Sequence, residues 1–190
     1  CVVAPGFSDE ALSFLSSKKN LRVLSLPSLL FNSAQRINYK SIAGGALNQD
    51  SDSYSTSNWS YLSVKPNEKM LESMIFGEKV AAALKSNAIA IVYRGQSIGL
   101  GMGQVNRVDA VKHAIERMKE FAASNPVNMS EVILVSDAFF PFADGVEALA
   151  KAGGVCVIQP GGSLRDEEVI SAADKLGLVM LFTGYRHFRH

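Results

Sequence analysis

The sequence predicts an α/β fold in which helices flank a mixed sheet, and three observations predict it. Short apolar runs such as Val132 to Val135 and Val155 to Ile158 alternate with amphipathic stretches of helical spacing. Gly and Pro punctuate the junctions, which keeps each element short. The 190 residues are 47% hydrophobic and 19% charged, enough apolar material for one compact domain or two small ones. Apolar strands separated by helices need a sheet covered on its faces.

The elements follow in order. Val2 to Ala4 reads as a strand, Ser8 as the cap of a helix over Asp9 to Ser17, and Leu21 to Leu26 as a second strand, a βαβ-like beginning. From Pro27 to Pro66 the composition shifts to Ser, Asn, Gln and Tyr, with a break at Gly44-Gly45 and partial alternation from Tyr54 to Val64. Extended strands and loops are expected there. Pro66-Asn67 opens a helix to about Ser86, on which Leu71, Met74, Ile75, Val80, Ala81 and Leu84 keep helical spacing. Ala88 to Tyr93, the turn Arg94-Gly95-Gln96 and Ser97 to Gly103 form a hairpin. Its Gly99, Gly101 and Gly103 alternate and so bare one face, either for a flat ligand or for close packing against a helix.

Asn106 caps the next helix, whose stripe is Val108, Val111, Ile115, Met118 and Ala122, with Lys112-His113 on the solvated side. Strand Val132 to Ser136, a Phe-rich loop, a helix from Gly145 to Lys151 ended by Gly153-Gly154, and strand Val155 to Gln159 come next. Pro160-Gly161-Gly162 then leads into a helix capped by Ser163, with Asp166, Glu167 and Glu168 at its positive end, before strand Leu178 to Phe182. Ser8-Asp9-Glu10-Ala11-Leu12 is echoed by Gly145-Val146-Glu147-Ala148-Leu149, which suggests either duplication or the shared grammar of helix starts.

Composition narrows the function. Nineteen Lys and Arg against eighteen Asp and Glu leave a formal charge of +1. That balance excludes recognition of nucleic acid or an anionic membrane by bulk charge, so any anion site has to be local. No apolar run approaches the roughly 20 residues of a membrane span, and a soluble protein is expected. The two cysteines, Cys1 and Cys156, are too few for a disulfide framework, and Cys156 in its apolar run reads as a buried thiol in a reducing, cytoplasmic setting. The chain opens without Met or signal peptide, directly in the run Cys1-Val2-Val3-Ala4-Pro5, and is expected to be part of something longer.

Ligands of open α/β sheets lie beyond the carboxyl ends of the strands. Gln104 to Arg107, Asp137 to Asp144, Pro160 to Leu164 and the tail Gly184 to His190 should meet there. Arg107, in the first turn of its helix, suits bidentate binding of phosphate or carboxylate, or else a surface ion pair. Phe139, Phe140 and Phe142 lie in a connection between Asp137 and Asp144; they plug the core or sandwich a planar heterocycle whose N–H edges Asp144 binds. Asp144 with Glu147 also resembles a capping pair. Asn87 is either a cap or turn residue or an amide that polarises a carbonyl. The tail Tyr185-Arg186-His187-Phe188-Arg189-His190 is basic and aromatic, and most such tails are solvated. There is no HxE with CxxC, no GxSxG, no Walker loop and no GxGxxG at a strand-to-helix turn.

Several long motifs stand in order: Ser86-Asn87-Ala88-Ile89, Gly99-Leu100-Gly101-Met102-Gly103-Gln104-Val105-Asn106-Arg107-Val108-Asp109, Ser136-Asp137-Ala138-Phe139-Phe140-Pro141-Phe142, Gln159-Pro160-Gly161-Gly162-Ser163 and Arg186-His187-Phe188-Arg189-His190. With Val3-Ala4-Pro5 and Gly44-Gly45-Ala46-Leu47 they closely resemble the transformylase part of the AICAR transformylase/IMP cyclohydrolase family over essentially the whole chain. The resemblance implies a cytidine-deaminase-like three-layer fold, duplicated and without the deaminase zinc. Residues 1–66 would be the end of the first subdomain with connecting strands, and 67–190 the second copy. It implies transfer of a formyl group from 10-formyltetrahydrofolate, a co-substrate rather than a tightly bound cofactor, to the amino group of AICAR in purine synthesis.

Carried over by motif, Asn87, Arg107 and Arg186 would contact AICAR, with Arg107 near its phosphate end and Asn87 orienting the reacting groups. Val108, Phe139, Phe142, Asp144, Ser163 and Leu164 would line the folate side. The resemblance also implies a potassium ion near Asp137 and Ser86, the upstream half of the same enzyme as a partner, and a homodimer. The family's catalytic Lys-His dipeptide with its Asn-x-Pro-Cys-Gly sequel is absent, as is the cyclohydrolase domain, and Ala143 stands where many relatives have Arg. The expected chain is therefore an incomplete formyltransferase, with a non-catalytic nucleotide- or folate-binding module as the alternative.

Overall fold

The computed structural model describes every residue except 31–36, 51, 53–55, 63–65 and 190, with the backbone alone at 29, 30 and 61. The chain divides into two compact units, Cys1–Ser51 and Asp52–His190. The second unit takes in residues 52–66, the connecting stretch ahead of the subdomain boundary that the resemblance implies. A short strand, β5 (Ser60–Tyr61), pairs with a strand near the C-terminus, and Leu62 N donates to Met180 O at 3.1 Å. These pairings tie the connecting segment to the second unit.

The first unit begins as predicted. Strands β1 (Val2–Ala4) and β2 (Val23–Ser25) are parallel and joined through α1 (Asp9–Ser16). Ser8 Oγ caps α1 by accepting from Ala11 N at 3.2 Å, and Asp9 and Glu10 sit at its positive end. Strands β3 (Ile37–Ile42) and β4 (Gly45–Asp50) form a hairpin that turns at Gly44, whose φ of +80° a side chain would oppose. No described residue of this unit is buried. The alternation expected over Tyr54 to Val64 lies partly outside the described residues.

The second unit holds α2 (Glu68–Ala83), β6 (Ile89–Tyr93), β7 (Gln96–Gly101), α3 (Arg107–Ser124), β8 (Ile133–Ser136), α4 (Asp144–Lys151), β9 (Cys156–Gln159), α5 (Asp166–Lys175) and β10 (Val179–Phe182). Among the described residues its strands form one six-stranded sheet in the order β5-β10-β9-β8-β6-β7. β8, β9 and β10 run parallel, while β5, β6 and β7 pair antiparallel to their neighbours, so the sheet is mixed.

Alternation along the strands builds two cores. Ile89, Ile91, Leu134, Val157 and Met180 face α3, α4 and α5, with Val111, Met118, Leu149 and Val169 packed on them. Ala90, Val92, Ile133, Val135, Cys156, Ile158 and Leu181 face α2 through Met74 and Ala81. Sheet between helical layers is the three-layer arrangement. Burying each large aliphatic side chain contributes about 1.5–3 kcal/mol, so the sheet is the stable frame of the unit.

Local chemistry sets the helix ends. Asn67 Oδ1 accepts from Met70 N at 2.9 Å to start α2, and Asn106 Oδ1 accepts from Asp109 N at 2.8 Å to start α3. Asn125-Pro126 stops α3, because the residue before proline is driven out of the helical region. The buried face of α2 comprises Ser73, Met74, Gly77, Glu78 and Ala81, so the apolar positions Leu71, Ile75, Val80 and Leu84 flank that face rather than form it. On α3 the buried set adds Ala110 and Ala114 to Val111, Ile115 and Met118.

Those two alanines explain the glycine alternation. A Cβ on Gly99 would overlap the carbonyl oxygen of Ala114, and one on Gly101 that of Ala110. The bare face is packed against α3 and is closed to a ligand; Gly103 lies past the strand with open space around it.

Two cap expectations are corrected. Ser163 Oγ accepts from Arg165 N at 3.1 Å, two residues on, and α5 starts only at Asp166 with no side-chain cap at Arg165. Asp144 is the first residue of α4, its Oδ1 accepting from Gly145 N at 2.8 Å, so the capping pair with Glu147 does not form.

Candidate functional site

The register brings the beginning of β6, the end of β7 and the carboxyl ends of β8, β9 and β10 to one edge of the sheet, with Ile89 opposite both Gly101 and Ser136. At the centre stands Asp137, fully buried. Its Oδ1 accepts from Ala88 N at 3.1 Å and from Arg107 Nη1, and its Oδ2 accepts from Ser86 Oγ at 2.5 Å.

Arg107 reaches this carboxylate from the first turn of α3 and is itself buried. Its Nη1 also donates to Ala88 O at 3.0 Å and its Nη2 to Asn87 Oδ1 at 3.0 Å, while Nε has no partner. Arg107 therefore forms a buried ion pair, which neither an exposed anion receptor nor a surface pair describes. Burial pulls its pKa down, Asp137 pulls it back up, and the nearby charge of Arg186 pushes it down again. Asn87 is fixed at both ends of its amide, since its Nδ2 donates to Gln104 O at 2.9 Å. One amide hydrogen is left for a ligand. The Ser86–Asn87 peptide is cis, and Asn87 caps no helix.

The tail is woven into this edge rather than solvated. Thr183 N donates to Gln159 O at 2.9 Å, Gly184 N to Pro160 O at 3.1 Å, His187 N to Asp137 O at 2.9 Å and Arg189 N to Ser86 Oγ at 2.7 Å. Arg186 lies exposed, its guanidinium 5.8 Å from the Phe139 ring centre and 4.1 Å from that of Phe188.

The three loop phenylalanines divide their work. Phe140 is fully buried, and its N–H donates to Gln159 Oε1 at 2.8 Å. Phe139 is half-buried, while Phe142 is exposed beneath Arg165, whose guanidinium lies 4.7 Å above the ring. Asp144 and Leu164 are exposed, Ser163 and Val108 half-buried. The four segments expected to meet thus do so around Asp137 and the Phe loop. His113 is exposed and lies outside this set, with Gln104 Nε2 3.3 Å from its Nδ1.

Sequence reading passed over Glu78 and Asp52. His187 places Nδ1 2.7 Å from Asp52 Oδ2 and Nε2 3.2 Å from Glu78 Oε1. Burial alone disfavours the imidazolium, but the two carboxylates outweigh it and hold His187 above its ordinary pKa. The signal was present, for Glu78 falls four residues after Met74 and three before Ala81, on the buried face of α2.

Asp137 and Ser86 do come together, as a potassium site requires. Their oxygens also take part in hydrogen bonds, Asp137 accepting from Arg107, Ala88 and Ser86, and Ser86 Oγ accepting from Arg189 N. Among the described residues no cluster of His, Cys, Asp and Glu could hold a metal ion, and no helix is long and apolar enough to cross a membrane.

Fold and site together define an α/β chain with a buried Arg107–Asp137 pair at the carboxyl edge of a mixed sheet. Residues 1–117 match the family model described as AICARFT/IMPCHase bienzyme. The chain belongs to that family. It is similar over its full length to the bifunctional purine biosynthesis protein PurH of Caldicellulosiruptor saccharolyticus, at 47% identity over 192 residues covering 36% of that protein. The proteins of the same name from Synechococcus elongatus, 46% identical over 193 residues and covered to 36%, and from Leuconostoc citreum, 42% identical over 192 residues and covered to 37%, are also similar. The chain spans little more than a third of the length of these curated relatives.

Proposed function

We propose that the chain is the C-terminal part of an AICAR formyltransferase, moving a formyl group from 10-formyltetrahydrofolate to the amino group of AICAR in purine biosynthesis. Residues 67–190 are on this reading the second copy of a cytidine-deaminase-like subdomain, and residues 1–66 the end of the first with connecting strands. One observation carries the proposal: the guanidinium groups of Arg107 and Arg186 gather at the sheet edge around Asp137, whose single charge cannot neutralise both. An excess of planar cation donors suits a phosphate monoester.

In the reaction the amine nitrogen attacks the formyl carbon and the carbonyl oxygen becomes an oxyanion. The carbon–nitrogen bond to the folate then breaks, while the attacking nitrogen loses a proton and the leaving nitrogen gains one. Asn87 donates its remaining amide hydrogen toward the formyl oxygen, in a geometry that Arg107 and Gln104 O hold fixed. Arg107 lends its charge to the phosphate end from within its buried pair with Asp137, and Arg186 supplies the exposed charge that meets the phosphate. On the folate side Phe142 and Leu164 present exposed apolar surface, Phe139 a half-buried ring, Asp144 an exposed carboxylate, and Ser163 and Val108 complete the lining. Proton transfer falls to residues outside the chain, supplied by the upstream half of a cytoplasmic homodimer. No nucleic acid, membrane or tightly bound cofactor enters the scheme, and a potassium ion beside Asp137 and Ser86 has a structural part in it.

The test is formyl transfer to AICAR by the chain alone and with the upstream half of a relative added. Activity is expected only on complementation. Full turnover by the 190 residues alone would refute the assignment of proton transfer. No turnover by either preparation, with both folded, would refute the transferase reading in favour of a nucleotide- or folate-binding module.

A further inference from the structure

One buried charged cluster plays no part in the proposed reaction. His187 is buried between Asp52 and Glu78, and Glu78 is only 1% exposed, with an Oε2 that has no hydrogen-bond partner. A neutral imidazole carries one N–H and donates to one acceptor only. Meeting two carboxylates at 2.7 and 3.2 Å takes an imidazolium with a donor on each nitrogen. A carboxylate placed inside α2's apolar face is costly unless a cation answers it.

The cluster sits where it governs the tail. Side chains alternate there: the Tyr185 and His187 rings lie 5.7 Å apart, while Arg186 and Phe188 stack together at 4.1 Å. Backbone bonds from His187 N to Asp137 O and from Arg189 N to Ser86 Oγ set the register of the tail. Ser86 N also donates to Arg189 O at 2.8 Å, so the backbone is held at 187 and 189, and the orientation of Arg186 just before them is left to the side chains. Arg186 is held through ring faces, which grip weakly at an exposed position. The ionic grip on His187 is two-sided, buried toward Glu78 and at the surface toward Asp52.

We infer that His187, Glu78 and Asp52 form a clamp that fixes the orientation of the tail at Arg186 and so positions Arg186 over Phe139. His187 is a positioning residue, acting through Arg186. Its consequence for ligand binding rests on the reading of Arg186 as the phosphate-facing cation.

The experiment uses the whole chain, as wild type and as His187→Gln, Glu78→Gln, Asp52→Asn, Arg186→Ala and the His187→Gln/Arg186→Ala pair. Asp52→Asn changes an exposed carboxylate and so serves as the variant that still folds. Amide hydrogen exchange reads the tail, and calorimetry reads AICAR binding. Exchange at residues 187 and 189 is expected to quicken about tenfold in the His187, Glu78 and Asp52 variants, with β8 and α3 unchanged. AICAR affinity is expected to fall about tenfold on His187→Gln, but not further when Arg186 is already alanine. Unchanged tail exchange in all three variants overturns the clamp, and so does an equal loss of affinity with and without Arg186. If the wild-type chain binds no AICAR, the nucleotide reading of the site fails, and the exchange arm alone still decides the clamp.

Discussion

Replacing Asp137 with alanine should be among the most damaging single changes in the second unit, and its size follows from the geometry. The substitution strands the buried Arg107 guanidinium, the kind of loss that costs about 3–5 kcal/mol in a buried ion pair. It also strands the buried N–H of Ala88, worth a further ~1–3 kcal/mol, and removes the acceptor of Ser86 Oγ. The combined loss rivals the whole stability of an ordinary domain, about 5–15 kcal/mol. Urea unfolding followed by the fluorescence of Trp59, which packs on the α2-side core, reads it directly. The companion variant Asp137→Ala/Arg107→Met should recover the ion-pair share of the loss, because deleting both charges leaves no buried charge uncompensated, while the Ala88 N–H stays unpaired. A loss under ~1 kcal/mol for Asp137→Ala, or a double variant no better than the single, would refute the view that burial without a partner is what hurts.

Three further outcomes are expected. Gly101→Ala drives a methyl group into the Ala110 carbonyl, backbone against backbone, and should destabilise by about 1–3 kcal/mol or more, seen as a lowered melting temperature; an unchanged melt would contradict the close approach. His187 has a raised pKa in the folded chain, so its contribution is fully present below the unfolded value of about 6.5 and is lost as pH rises through the folded value; the urea midpoint of the wild type should fall across that window, and that of His187→Gln should not. Burial pushes the Cys156 thiol up to about 12, while Cys1 is exposed, so a disulfide reagent at pH 8 should titrate one thiol in the native chain and two in urea.

The frame of the second unit was legible because its strands carry uninterrupted apolar runs and its helices announce themselves with Asn67, Asn106 and Pro126. The same plain signals gave the βαβ start at Ser8. Where a carboxylate has two local options, as at Asp144, or a hydroxyl sits two residues early, as Ser163 does, composition cannot choose; backbone geometry at the turn decides. Gathering four loops at one edge was readable from the succession of strands and helices, since the loops of an open α/β sheet that hold ligands lie beyond the carboxyl ends of its strands. What stayed hidden is that Arg107 is turned inward, since its partner Asp137 lies thirty residues away and only the register of β6 between β7 and β8 brings the two together. Glu78 was overlooked for the opposite reason: its helical position marked it as buried, but its cation belongs to the tail.

The glycine face of β7 reaches further than packing. Because Gly99 and Gly101 carry no methyl groups, α3 settles onto the strand by its own main chain instead of riding on side chains. The first turn of that helix is thereby lowered, and Arg107 enters at the level of the sheet rather than above it. Two hydrogen atoms in place of two methyls set the depth of the cation. Residues that never touch a ligand would in this way act as the height adjustment of the site.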